Sequence, residues 1–287
     1  MTKSSHSLKH TTQSECTIET MGVIGVGTMG KAIIQGVQQA KTLSVETIWG
    51  ATHCETTSLQ VSEKLNILCS PQYFDWVPTS SLIVLAVKPY QINSVLETLK
   101  NSGLDPETLV ISIAAGVSLK QMETALNTEN PLSRVMTNTP SLVHQGMAAY
   151  CGNAFFTSHH QNWVQCIFSE MGQCIALPEK QFDVVTALSG SGPAFVFMMI
   201  ESLADGAVKM GLPRQTALQV ATQVVSGSAT MVQQSHKHPA QLKDEVTTPG
   251  GCTIAGLHAL EHGKFRAVVA QAIEAATHTA NVLGSQS

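Results

Sequence analysis

The sequence is poor in charge and in aromatic rings. Only 13% of its 287 residues are Asp, Glu, Lys or Arg, and only 5% are Phe, Trp or Tyr. Lys and Arg number 16 against 20 Asp and Glu, for a net charge of −4, and they form no basic block. A phosphate-tracking surface is missing, as is the aromatic platform on which single-stranded bases stack, so no nucleic-acid partner is expected. No run reaches the roughly 18 consecutive apolar residues of a membrane span, which predicts a soluble chain without a membrane partner. Residues 1–20 are rich in Ser, Thr, His and Lys and lack the apolar stretch of a signal peptide, so they read as a mobile N-terminal extension. The 7 cysteines are odd in number and include no C-x-x-C pair, which fits reduced thiols in a cytoplasmic protein. His258 and His262 have the i, i+4 spacing of a metal pair, but no acid or cysteine is placed to complete the site. They read as a solvated helix face, and no metal is expected.

What is present is material for a large core. Hydrophobic residues make up 43% of the chain, and at about 150 residues per domain its length predicts two domains. The most informative stretch is residues 21–36, where a short apolar run enters a glycine turn and leaves as a helix. Its G-x-G-x-x-G spacing, followed by Ala32, Ile33, Ile34 and Val37, is that of the strand–turn–helix that binds a dinucleotide. Gly25 permits the tight turn, Gly27 lets the backbone approach a pyrophosphate, and Gly30 lets helix and strand pack closely. The first amides of the helix then face the phosphates, where the helix dipole favours negative charge.

Residues 45–51 read as a second strand. Its end is where an Asp or Glu would grip the ribose 2′-hydroxyl of NAD, yet it carries Ala51 and Thr52, with the first acid only at Glu55. The missing carboxylate removes repulsion against a 2′-phosphate, and Thr52 or His53 could donate to it, which favours NADP although no Arg is present. Residues 81–89 form an apolar run that ends in Lys88 and Pro89. Continuous apolarity predicts a parallel strand covered on both faces, with Pro89 at the first position of the next helix. Lys88 then stands over the ligand crevice of the sheet or merely solubilises a strand end. Residues 109–113 lead into Ala114, Ala115 and Gly116, small enough to admit a flat ring or tight backbone packing. Segments 134–140, 146–150, 159–170 and 174–177 continue the alternation. Residues 21–180 thus predict a Rossmann-type, doubly wound α/β domain with a mostly parallel sheet.

After Pro178 the pattern turns helical. Residues 181–287 predict an all-α domain with long helices at about 193–210, 214–235 and 264–283, read from the spacing of apolar residues. Their apolar residues, among them Val220, Val224, Val225, Val268, Val269 and Ile273, cover more than one face, as in helices buried against other helices or across a subunit interface. An obligate dimer through this domain is the expectation. Two motifs stand out. Residues 188–194, Leu-Ser-Gly-Ser-Gly-Pro-Ala, read as a turn opening a long helix with Pro193 in its first turn. They lack the G-x-S-x-G spacing of a serine-hydrolase elbow. Residues 247–254 form a glycine turn leading into a further helix, which Thr253 can cap, and its backbone amides suit a carboxylate as well as a plain cap.

Together these segments resemble the pyrroline-5-carboxylate reductase family, from about residue 21 to residue 283. The matching residues are 25–30, Ala-Val-Lys-Pro at 86–89, Ser-Ile-Ala-Ala-Gly-Val at 112–117, Met-Thr-Asn-Thr-Pro at 136–140, 183–194, 204–206 with 209–213, and 241–254. The resemblance implies reduction of Δ1-pyrroline-5-carboxylate to L-proline with NADPH or NADH, the last step of proline synthesis. It also implies a Rossmann domain followed by a helical dimerisation domain, dimers that often assemble into decamers, and active sites between a cofactor domain and the helical core of the dimer. Carried over by position, Ile24, Gly25, Val26, Gly27, Thr28, Met29, Thr52, Ala86, Val87, Lys88, Pro89, Ile113, Ala114 and Ala115 would line the cofactor. Glu179, Thr248, Gly251, Cys252 and Thr253 would line the substrate, with the 248–253 turn holding its carboxylate, and Thr186 matches a hydroxyl near the ring nitrogen. Tyr73 and Glu245 depart from the pattern, standing where some relatives place an Asn near the cofactor.

The chemistry implied is catalysis by positioning. A cyclic iminium accepts hydride readily at its C=N carbon, so the protein must align nicotinamide and imine at about 3–3.5 Å and hold the carboxylate. Two alternatives stay open here: a reductase of another cyclic imine or of a β-hydroxyacid, and a non-enzymatic NADP-sensing regulator. The β-hydroxyacid enzymes commonly use a lysine on the long central helix, where residues 194–210 offer only Lys209 near the end. A regulator would have no use for the 248–253 turn.

Overall fold

The computed structural model describes residues 16–286. The chain divides into two units, one running to Val185 and including the stretch from Asn281, the other running from Thr186 to Ala280. In the first unit β1 (Cys16–Ile24), β2 (Leu43–Ala51), β3 (Leu68–Cys69), β4 (Leu82–Leu85), β5 (Leu109–Ser112), β6 (Leu132–Met136), β7 (Gly146–Gly152) and β8 (Gly172–Ala176) form one sheet. Their order is β3-β2-β1-β4-β5-β6-β7-β8. Every pairing is parallel except that of β6 with β7, so the sheet is mostly parallel as expected. Between the strands lie α1 (Thr28–Gln39), α2 (Glu55–Leu65), α3 (Ile92–Asn101), α4 (Leu119–Leu126) and α5 (Ser158–Ser169), with the short α6 (Phe182–Val185) after β8.

The uninterrupted apolarity of β4 has the reason expected of it. Leu82 and Val84 point into a core shared with Ile33, Ile34 and Val37 of α1 and Phe168 of α5. Ile83 and Leu85 point to the other face, against Leu96 and Leu99 of α3 and Met122 and Leu126 of α4. All four β4 side chains are fully buried, each stabilising the fold by about 1.5–3 kcal/mol relative to exposure. This two-sided cover holds the carboxyl ends of the central strands rigidly, which is what a ligand site at that edge requires.

β1 starts earlier than the composition suggested. Cys16 and Ile18 are buried while Thr17 and Glu19 are exposed, and these residues pair with β2 from Leu43 onward. The boundary of the expected extension at residue 20 is therefore wrong for residues 16–20: a polar but alternating strand was read as loop. The rest of that expectation, residues 1–15, lies outside the described residues.

The second unit opens with a π-helical stretch (Thr186–Ser191), then α7 (Gly192–Lys209), α8 (Arg214–Ser235), α9 (Pro239–Glu245), α10 (Cys252–His262) and α11 (Phe265–Gln286), whose last residues from Asn281 group with the first unit. The turn expected at residues 188–194 is instead helical, and helix is continuous over Glu179–Lys209. Two glycines do not break it, because a π stretch absorbs the extra residue without ending the helix. Small residues Ala204, Ala217 and Ala221 let α7 and α8 pack closely. Most other apolar side chains stay uncovered in the chain, including Phe197 at 62% and Val224 at 54% exposure. The 31-residue helix Glu179–Lys209 is also long and apolar enough to cross a membrane by length and composition, although its polar residues interrupt any unbroken apolar run.

Candidate active site

The parallel register aligns the carboxyl ends of the central strands. Ile24 pairs with Ala51 on one side and Leu85 on the other, Leu85 with Ser112, and Ser112 with Arg134. The cofactor candidates follow directly from this row: Gly25 to Met29 after β1, Thr52 after β2, Ala86 to Pro89 after β4, and Ile113 to Ala115 after β5. Main-chain hydrogen bonds knit them together. Gly25 and Val26 donate from their amides to the Ala51 carbonyl at 2.9 and 3.1 Å, Ala86 N–H to the Ile24 carbonyl at 2.8 Å, and Ile113 N–H to the Leu85 carbonyl at 3.1 Å.

The glycine turn has the geometry a dinucleotide needs. Gly25 has φ +95°, and a Cβ there would lie 2.8 Å from the Ala86 carbonyl carbon and oxygen and from Val87 Cγ1. A Cβ on Gly30 would lie 2.6 Å from the Gly25 carbonyl oxygen, so helix and turn touch backbone to backbone. Around Gly27, by contrast, a Cβ would meet nothing within 4 Å. α1 starts at Thr28 with no side-chain cap and no acid in its first turn, leaving its first amides to an anion. The cradle therefore fits a pyrophosphate.

At the end of β2 the Thr52 hydroxyl donates to the Cys54 carbonyl at 3.0 Å and lies 2.7 Å from Ser58 Oγ. Cys54 Sγ lies 3.2 Å from Thr57 Oγ1 at the start of α2. Hydrogen bonds from the Thr57 hydroxyl and from the Thr57 and Thr56 amides hold the Cys54 thiol below its usual range. The end of β2 is thus a cluster of hydroxyls and amides with no carboxylate before Glu55. Lys88 caps a single 3-10 turn (Pro89–Gln91), its amide donating to Gln91 Oε1 at 3.2 Å, so Pro89 opens that turn while α3 itself begins at Ile92.

Glu179 is placed differently from the residues of the 248–253 turn. It belongs to the first unit, where its Oε1 accepts from Leu119 N–H at 2.7 Å and faces Arg134 Nη1 at 3.4 Å. The Arg134 guanidinium stacks over the Phe182 ring at 4.7 Å. Arg134 escaped sequence reasoning because it looked like one polar residue in a strand; the signal was an arginine at the middle of a buried strand. Tyr73 is buried and stacks on Trp49 at 5.8 Å between ring centres, and Glu245 receives hydrogen bonds from Lys237 Nζ at 2.7 and 3.0 Å. Both departures from the family pattern thus have local partners.

Within the second unit, Thr186 is the first residue of the π-helical stretch, a geometry that recurs at functional sites. Gly250 has φ +71°, and the Gly251 amide donates to the Thr248 carbonyl at 3.1 Å, closing the glycine turn. The residue capping α10 is Gly251 rather than Thr253, and it offers no side chain, so Thr253 lies within the first turn of the helix. Cys252 and Thr253 open α10, whose N-terminus has no side-chain cap, so its first amides are free of a side-chain acceptor from the cap residue.

Comparisons with known proteins fall on both units. The family model described as pyrroline-5-carboxylate reductase dimerisation matches residues 179–283. The model described as NADP oxidoreductase, coenzyme F420-dependent, matches residues 20–116. The chain is 39% identical to the pyrroline-5-carboxylate reductase of Glycine max over 90% of its own length and 93% of the relative's. It is 40% identical to that of Methanosarcina acetivorans, over 93% and 98%. The structure of the Plasmodium falciparum pyrroline carboxylate reductase with NADP bound superposes with a TM-score of 0.82 at 34% identity, covering 93% of this chain and 98% of that one.

Proposed function

The chain belongs to the pyrroline-5-carboxylate reductase family, and on that premise we propose which of its residues carry out the reduction of Δ1-pyrroline-5-carboxylate to L-proline. It is an NAD(P)H-dependent oxidoreductase of proline biosynthesis. Bound NADPH supplies the hydride that adds to the imine carbon. The observation that carries the assignment of residues is the row of strand ends with an open Gly27 at its centre. Gly25 to Met29 hold the pyrophosphate on the amides of α1. Thr52, within its hydroxyl cluster, takes the 2′-phosphate that no carboxylate repels. Ala86 to Pro89 and Ile113 to Ala115 flank the nicotinamide half with small residues and main chain. The first amides of α10, after the Thr248 turn, hold the substrate carboxylate, and Cys252 and Thr253 line it. The Thr186 hydroxyl hydrogen-bonds the ring nitrogen and manages its proton. No strong general acid is required, because the cyclic imine arrives protonated.

The enzyme is a homo-oligomer. We read a dimer as the building block, covering the apolar faces of α7, α8 and α11 with those of a second copy. The apolarity of Glu179–Lys209 belongs to the same reading, since the dimerisation match spans these residues and a partner chain replaces lipid as their cover. Light scattering at micromolar concentration should give at least twice the chain mass; a monomer would overturn this. A decamer of such dimers rests on the resemblance alone, and sedimentation velocity separates it from a dimer. The cytoplasmic location, supported by seven free thiols, and the lack of a nucleic-acid partner belong to the same proposal. The substrate assignment is tested by following NADPH absorbance with pyrroline-5-carboxylate and with a pyrroline lacking the carboxylate. Oxidation with the first alone supports the carboxylate seat; equal rates with both refute it.

A further inference from the structure

We propose that Glu179 is a positioning residue for the dinucleotide, fastening the loop at residues 113–118 from a distance in sequence, and that Arg134 holds Glu179 in place. The inference rests on the reading that this edge of the sheet holds NADPH.

The loop is tied at both ends. At its start Ile113 N–H donates to the Leu85 carbonyl at 3.1 Å. At its end the first amide of α4, Leu119 N–H, donates to Glu179 Oε1 at 2.7 Å across 60 positions of sequence. Between the ties, Ala114 and Val117 are buried in the core while Ala115 and Gly116 carry little side chain, and Gly116 has φ +80°. The amide at Leu119 is one of the orphan donors of a helix start, and Ser118 Oγ already serves the Gln121 amide at 3.1 Å. No acid lies in the first turn of α4, so Glu179 provides the negative charge that the helix dipole favours there.

Arg134 fixes the carboxylate from the other side. Its side chain is 8% exposed, against 33% for that of Glu179, and its guanidinium lies between Glu179 Oε1 at 3.4 Å and the face of Phe182 at 4.7 Å. A buried guanidinium with these two neighbours has little freedom, so it defines where the carboxylate sits. Arg134 also pairs in register with Ser112, the residue from which the loop departs. The clasp thus runs from the strand edge to Glu179 and back to the far end of the loop. Its consequence is that the loop faces the nicotinamide half of the cofactor already ordered, and NADPH binding need not supply the ordering cost.

The test is NADPH affinity, measured by nucleotide fluorescence on the full chain without substrate. Glu179→Ala should weaken binding about tenfold or more, whereas Glu179→Gln, which keeps an acceptor for Leu119 N–H, should stay within about threefold of wild type. Leu119→Pro removes the donor while leaving Glu179 intact, and it suits a first helical position preceded by an extended Ser118 (φ −87°, ψ 158°). It should weaken binding as Glu179→Ala does, and the double variant should be no worse than either single one. Because the Leu119 side chain is buried in the core, Leu119→Ala, which keeps the amide, is the packing control and should stay within about threefold of wild type. Leu119→Pro also keeps the test open if Glu179→Ala fails to fold. Unchanged NADPH affinity with a raised KM for the imine acid would overturn the proposal in favour of a substrate contact. Unchanged affinity with only a lowered Tm would overturn it in favour of a structural role. A wild-type chain that binds no NADPH would instead overturn the reading on which the inference rests.

Discussion

Two glycine substitutions two positions apart should separate folding from cofactor binding. At Gly25 φ is +95°, and an added Cβ lies 2.8 Å from the main chain of Ala86. For an L-residue the backbone conformation costs about 1–2 kcal/mol, and forcing an extra methyl into closed packing adds about 1–3 kcal/mol. Gly25→Ala should therefore lose about 2–5 kcal/mol of stability, a fall in Tm of several degrees at least. At Gly27 φ is −83° and a Cβ meets nothing within 4 Å, so Gly27→Ala should cost less than about 1 kcal/mol, the difference between Gly and Ala as a helix N-cap. Its methyl, however, enters the space over the first amides of α1. Losing one charge-assisted amide–phosphate hydrogen bond costs about 1.5–3 kcal/mol, which raises the Kd for NADPH about 10- to 150-fold. Thermal denaturation by circular dichroism and titration of nucleotide fluorescence read the two quantities on the same samples. Wild-type NADPH binding by Gly27→Ala would remove Gly27 from the phosphate cradle, and a wild-type Tm for Gly25→Ala would refute the close packing at Gly25.

Three further outcomes follow from the geometry. Thr186→Ala should lower kcat more than about tenfold with little change in the Kd for NADPH; full turnover in stopped-flow assays would remove Thr186 from the chemistry. His160 is held below its usual range by burial, with His159 pushing the same way. Its folded value lies under the unfolded one, so its contribution is present above about pH 6.5 and lost as the pH falls below that. The Tm of wild type should therefore drop more steeply than that of His160→Gln between about pH 7 and pH 5, and parallel curves would contradict the assignment. Among the thiols, Cys54 is lowered whereas burial pushes Cys16, Cys151 and Cys174 up to about 12. Iodoacetamide should modify Cys54 before those three, as read by peptide mass spectrometry, and saturating NADPH should slow it. Equal labelling with and without nucleotide would separate Cys54 from the 2′-phosphate site.

Elements set by local rules were legible in the sequence. The glycine spacing predicted the turn, and the unbroken apolarity of residues 82–85 predicted a strand covered on both faces, as found for β4. The alternation of segments predicted the sheet. What escaped reading depends on partners distant in the chain. Residues 16–20 look like loop until their pairing with β2 is known, because only Cys16 and Ile18 signal the buried face. The helical path through Ser189 to Gly192 runs against local propensity and is carried by the helix on both sides. Glu179 and Arg134 lie 45 positions apart, and Glu179 and Leu119 lie 60 apart, so no local pattern reveals the clasp. Thr253 was read as a cap, yet a glycine takes that position.

The reaction at this site is hydride transfer from NADPH to an imine carbon that becomes part of proline. The purified chain, given pyrroline-5-carboxylate and NADPH deuterated at the transferring position of the nicotinamide, should yield L-proline with one deuterium on the former imine carbon. Proline without deuterium, or NADPH oxidised without proline appearing, would rule this transfer out.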